Sequence, residues 1–252
     1  MNVNHALYNY SLRLADNNMI LSQRLAAWCS RGPFLEEDLA LTNISLDLLG
    51  QAEMLYEYAV TLSAKETSAD ELAFLRSERM YYNCLMVEQP NGDFAFTMVR
   101  QFLFSVFARH LYHHLCNSNN LMLQGFAAKA VKETNYHIRH SRDWIMRLGM
   151  GTEESNTRTQ FALNQLWRYK DDMFAMNETD MQLVDLGLGI SHEQLYPHWE
   201  SDVNALIAEA DLKIPDVINK IGGGYNGVHT EHLGHLLCEM QYLQRAYPGA
   251  QW

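Results

Sequence analysis

Ala130–Trp144 reads AVKETNYHIRHSRDW and stops one residue short of a helix that binds paired iron ions. The motif it approaches is Glu-x-x-His, carried on two helices of a four-helix bundle in di-iron carboxylate proteins. Three residues is nearly one helical turn, so both ligands of the motif face one metal. Counting back three residues from His137 gives Thr134, which has no carboxylate to bridge two ions. The imidazole is kept and its carboxylate partner is not, and the rest of the chain bears on what that interior position has become.

With 252 residues, 48% hydrophobic and 19% charged, the chain has enough apolar material for a sizeable core in a single domain. A formal net charge of −11 and the lack of any Lys/Arg-rich run argue against nucleic acid and anionic membranes as partners. The start lacks the charged and then apolar pattern of a secretion signal. No apolar run approaches the ~20 residues needed to cross a bilayer, so a cytoplasmic protein is expected. Cys29, Cys84, Cys116 and Cys238 lie far apart without a C-x-x-C pair, and are expected to be buried free thiols.

Apolar residues recur every three or four positions over long segments, with no competing strand pattern. A first helix is expected over about Asn4–Trp28, with Leu7, Leu14, Leu21, Leu25 and Trp28 on one stripe. Gly32 stops it and Pro33 opens a second helix reaching about Leu62. Ser68 and Glu71 form a capping box for a third, which should carry Leu72, Leu75, Met80 and Leu85 towards Val87. Gln89-Pro-Asn-Gly92 is a break. Asp93 caps a helix to Cys116, and the Asn117–Asn120 turn leads into a long helix ending near Gly149. Further helices are expected over Gln160–Met176, near Met181, after Ser191 with Pro197 in the first turn, and over Val228–Ala246. The expected fold is all-α: an antiparallel four-helix bundle over about 5–148 with a helical extension over 152–252, in one domain.

Antiparallel neighbours place residues equidistant from their turn side by side. Fifteen residues either side of Pro33 lie Asn18 and Leu48, with Gln51 one turn further. Ser105 and Thr134 match about the second turn, with His137 one turn beyond. Of these six positions only His137 is a good metal ligand, whereas iron requires several carboxylates to neutralise its charge. A register shifted by one would reach Asp47 and Glu133; Arg100, Lys132 and Arg139 are candidates to neutralise them. Spacing alone would let His110, His113 and His114, or His229, His232 and His235, hold a metal. The first set has no carboxylate cluster and the second drifts round its helix, so surface or hydrogen-bonding roles are expected. Gly222–Gly227 with Lys220 could form an anion-binding nest, but without Gly-Lys-Ser/Thr or a preceding strand it reads as a turn-forming connection. The aromatic stretch Phe102–Tyr112 is first a core stripe and second a contact between subunits, and its helix is the first candidate for a partner-facing surface.

The stretches Leu46-Asp-Leu-Leu-Gly-Gln-Ala52, Val87-Glu-Gln-Pro-Asn-Gly92, Lys132-Glu-x-x-Tyr-His137, His229-Thr-Glu-His-Leu-Gly234 and Glu239-Met-Gln-Tyr-Leu-Gln-Arg245 together resemble the C subunits of phenylacetyl-CoA 1,2-epoxidases. The resemblance spans almost the whole chain. It implies a ferritin-like fold and a non-catalytic subunit in aerobic phenylacetate degradation, with no catalytic, cofactor-binding or metal-binding residue of its own. The di-iron centre would sit in a related A subunit; a small B subunit and a reductase with flavin and iron–sulfur groups would complete the NADPH-dependent monooxygenase. Two rival readings are an independent ferritin-like metal-binding oxidase and a free-standing helical binding protein.

Overall fold

The long apolar stripes fold as two helical hairpins with shorter helices around them. The computed structural model describes residues 3–217 and 219–250. Its first part contains α1 (Val3–Ala26), α2 (Leu35–Leu62), α3 (Ala69–Phe74), α4 (Leu85–Glu88), α5 (Phe94–Leu115) and α6 (Leu121–Gly149). Then follow α7 (Glu153–Leu166), α8 (Lys170–Met173), α9 (Glu178–Asp185), α10 (His192–Glu209), α11 (Glu231–Met240) and α12 (Tyr242–Ala246). No strand occurs among the described residues, and none of their helices is long and apolar enough to cross a membrane. The chain divides into two compact units: Met1–Pro90 with Gly223–Trp252, and Asn91–Gly222.

In the first unit α1 packs along α2. Leu7, Leu14, Leu21 and Leu25 are buried as the stripe requires, while Trp28 lies past the helix end and is half-buried. Two small residues set the approach: Ser22 Oγ donates to the Ser45 carbonyl at 2.8 Å, and Ser45 Oγ donates to the Ser22 carbonyl at 2.9 Å. Every residue of α1 from Tyr10 to Ser22 is buried, so its polar members need partners inside the protein.

Asp16 has such partners on both oxygens. Its Oδ1 accepts from the Tyr56 hydroxyl at 2.6 Å and from Arg76 Nη2; its Oδ2 accepts from Arg76 Nη1 at 3.1 Å and the Tyr82 amide at 2.8 Å. Burial and the Asp16 charge push the Tyr56 phenol well above its ordinary pKa, which keeps it a donor. The same arginine ends α3 early. The capping box of Ser68 and Glu71 forms as expected, but the expected continuation to Val87 does not. Arg76 turns inward, donates to the carbonyls of Leu72 and Met80, and stacks 4.2 Å from the Tyr81 ring centroid. Leu75 and Met80, expected on a buried stripe, are therefore exposed. The last expected helix likewise begins later, at Glu231, and breaks at Gln241, whose side chain donates to the Arg76 carbonyl at 2.9 Å and the Tyr81 hydroxyl at 2.8 Å.

In the second unit Asp93 caps its helix as read, accepting from the Phe96 amide, and the last residue of the expected turn, Asn120, caps the next by accepting from the Leu123 amide. The segment expected from Gln160 starts at Glu153, because Thr152 and Ser155 form a reciprocal cap there. The Phe102–Tyr112 stretch is core and offers no aromatic contact surface: Phe102, Phe104, Phe107 and Tyr112 are all buried. Trp199 of α10 donates from Nε1 to the Leu103 carbonyl at 2.9 Å, and Phe174 meets Phe107 and Trp199 edge-on at 5.2 and 5.5 Å. Of the thiols expected to be buried, only Cys84 is; Cys29 and Cys238 are exposed and Cys116 is half-buried.

Asp16→Asn removes the charge that compensates a buried guanidinium. It is expected to cost about 3–5 kcal/mol, seen in urea unfolding as a lower midpoint with an unchanged slope.

Candidate functional site

All six positions singled out by the hairpin count are buried. Asn18 on α1 and Leu48 and Gln51 on α2 belong to the first unit; Ser105 on α5 and Thr134 and His137 on α6 belong to the second. Within the second unit, Gln101 Nε2 donates to Ser105 Oγ at 2.9 Å, and Ser141 Oγ donates to the His137 carbonyl at 2.7 Å. The alternative register does not reach the interior. Asp47 and Glu133 are half-buried, and Glu133 lies 3.7 Å from Lys129 in an i, i+4 pair. Arg100, one of the candidate neutralisers, donates to Asn91 Oδ1 at 2.7 Å, and Arg139 sits 5.6 Å from the Tyr136 ring centroid. Neither set fits a pair of iron ions: Asn18, Leu48 and Gln51 of the first unit carry no carboxylate or imidazole, and Ser105 and Thr134 of the second add only hydroxyls to the His137 imidazole, so neither can balance the charge. Among the described residues no three His, Cys, Asp or Glu side chains come together to hold a metal ion.

Acidic residues are nevertheless buried, and two of them are answered completely by protein donors. A carboxylate offers about four lone-pair directions. Asp16 uses all of them on Tyr56, Arg76 and Tyr82, as described above. Glu88 does the same within the same unit: Oε1 accepts from the amide and hydroxyl of Thr230 at 2.7 and 2.8 Å. Its Oε2 accepts from Asn83 Nδ2 and His229 Nδ1, both at 2.8 Å. Arg24 of α1 then joins the carbonyls of Glu88 and His232, at 2.6 and 2.9 Å.

His229 faces an acceptor at each ring nitrogen, since Nε2 lies 2.8 Å from the Tyr81 carbonyl oxygen. Only the imidazolium form can donate from both nitrogens, so this geometry favours the charged ring. Burial opposes that charge, but the hydrogen bond and charge of Glu88, together with the Tyr81 carbonyl, outweigh it and hold the pKa above its ordinary value. The other histidines take the surface and hydrogen-bonding roles expected of them. His110 pairs with Asp202 at 2.7 Å and stacks on His198, while His113, His114 and His235 are exposed. The glycine-rich segment is a connection. Gly227 has φ 71°, and a Cβ there would fall 2.2 Å from the Arg79 carbonyl oxygen, so only glycine fits. Lys220 pairs with Asp171 at 2.7 Å.

Asp16, Arg76 and Glu88 belong to no motif that sequence reasoning singles out by role. The available signals were an acid in the middle of a helix with buried neighbours, and the acid and histidine inside the quoted Val87 and His229 stretches.

The chain matches the family model described as "Phenylacetic acid catabolic protein" over residues 2–252. It is 48% identical over 243 residues, 96% of this chain and 98% of the relative, to the C subunit of 1,2-phenylacetyl-CoA epoxidase from Escherichia coli (strain K12).

Because the folded-state pKa of His229 is raised, the stability contributed by the Glu88 pair is fully present below the ordinary imidazole value of about 6.5. It is lost as pH rises through the raised folded value. Urea midpoints measured from pH 6 to 9 should fall for the wild type and fall less for His229→Gln, with the two curves converging at the alkaline end.

Proposed function

This chain belongs to the phenylacetic acid catabolic protein family, and we propose that it is a non-catalytic subunit of a phenylacetyl-CoA epoxidase. The observation that carries this reading is the pairing of a ferritin-like, all-helical fold with interior positions that hold Asn18, Leu48, Gln51, Ser105 and Thr134 where metal-binding carboxylates would be needed. The nearly full-length similarity to the C subunit of an epoxidase supports it against a free-standing binding protein, and the donor chemistry opposes an independent oxidase.

In this reading the chain's residues contribute no ligand to a metal and no group to the reacting ring. Its buried hydrogen-bonded carboxylates hold a rigid helical surface against a catalytic A subunit. The partner carries the di-iron centre and inserts an oxygen atom from O2 into the aromatic ring of phenylacetyl-CoA. A small B subunit and a reductase with flavin and iron–sulfur groups complete the system, which works in the cytoplasm with NADPH as the source of electrons.

The test is reconstitution. Co-expression with the A subunit should give one stable complex on size exclusion, and turnover of phenylacetyl-CoA with the reductase should require both chains. His137→Leu in that complex should shift the thermal midpoint more than it shifts turnover. Separate elution at micromolar concentration, with turnover by the A subunit and reductase unchanged when this chain is left out, would overturn the proposal.

A further inference from the structure

Helix α2 carries a second apolar stripe on the face that α1 does not cover. Leu35, Leu39, Leu46 and Leu49 are 70%, 56%, 59% and 38% exposed. With Thr42 and Glu53 they follow alternating steps of four and three residues, the spacing of a coiled-coil seam, so they lie within one stripe of the helix. Phe34, just ahead of the helix, extends the stripe and is also exposed. Four exposed leucines at seam positions form a continuous surface, unlike the scattered single apolar residues usual on a protein.

The stripe ends at a recess of about 260 Å³ between α2 and α3. Met19, Ala52, Tyr56 and Phe74 line its floor, and Glu53 and Asp70 stand at its rim. Tyr56 is fixed from behind by its hydrogen bond to Asp16, so the floor is rigid. An apolar recess with two carboxylates at its mouth suits a side chain that has an apolar stem and a cationic head, such as lysine or arginine.

Charge selects the occupant. From Leu35 to Leu62, α2 holds Glu36, Glu37, Asp38, Asp47, Glu53 and Glu57 and not one lysine, arginine or histidine. A twofold pairing of this face with a second copy would set acids at one end of α2 against acids at the other, and like charges brought together oppose association. We propose that this face is the docking surface for a helix of a different chain, one with its own apolar seam flanked by lysine and arginine. The inference rests on the epoxidase reading above and assigns that partner helix to the catalytic A subunit. It also relocates the contact surface from α5, whose aromatic residues are consumed in the core, to α2.

The test uses the full-length chain and the A subunit. Leu39→Glu with Leu46→Glu should raise the dissociation constant at least ~30-fold, the effect of losing central hot-spot residues. Far-UV circular dichroism and the thermal midpoint should stay near wild type, because both leucines are exposed. Glu53→Lys with Glu57→Lys should also weaken the complex and flatten its dependence on salt. If the leucine pair perturbs folding, the glutamate pair decides alone. Wild-type affinity in the glutamate pair and in a folded leucine pair would overturn the docking surface and leave the epoxidase reading standing. A wild-type chain that does not bind the A subunit overturns both. A homodimer of the wild type that the leucine pair abolishes overturns the choice of occupant in favour of a second copy.

Discussion

A carboxylate shut away from water must find its hydrogen bonds within the protein, and the first unit of this structure is arranged around two that do so. Asp16 ties α1 to Tyr56 of α2 and, through Arg76, to the segment after α3. Glu88 ties the end of α4 to His229 and Thr230, which precede α11. These bonds link residues 141 and 142 positions apart in the chain and explain why the C-terminal helices return to the N-terminal hairpin. A buried ion pair can cost as much in desolvation as it recovers in attraction, yet removing one member of it is strongly destabilising. Its effect here is to fix one arrangement of the chain ends, since a packing that left either acid unanswered would be penalised.

The same saturation bears on chemistry. Carboxylates bind metal through lone pairs that no hydrogen already occupies, and in Asp16 and Glu88 each oxygen takes two protein donors. Acids at the hairpin positions would have been available for ligation, but those positions hold two amides, two hydroxyls, a leucine and the imidazole of His137. The exposed leucine row of α2, on a helix that carries six acidic and no basic residues, is a surface feature that packing within the chain does not explain.

Most of the helical framework was legible in the sequence because it depends on local signals. Ser68 with Glu71, Asp93 and Asn120 cap helices within a residue or two of the expected starts, and the two long hairpins follow from stripes and turns. The errors fall where a distant partner overrides the local pattern. Periodicity favours a continuation from Ala69 to Val87, but Arg76 finds Asp16 sixty positions away and bends the chain. The last helix starts late and breaks for a similar reason, at Gln241. The aromatic residues of α5 cannot be told from a contact surface without their burial. The interior positions of Asn18, Gln51, Ser105, Thr134 and His137 are readable by counting from the turns; the Glu88–His229 pair is not, because no spacing rule connects residues in separate segments.

The central claim is that the interior has exchanged metal ligation for hydrogen bonding, and anaerobic titration of the purified chain with ferrous iron, followed by calorimetry, tests it most directly. The account predicts no stoichiometric binding and no change when His137→Leu replaces the wild type. Saturable uptake of two ferrous ions per chain, lost in the His137 variant, would contradict it.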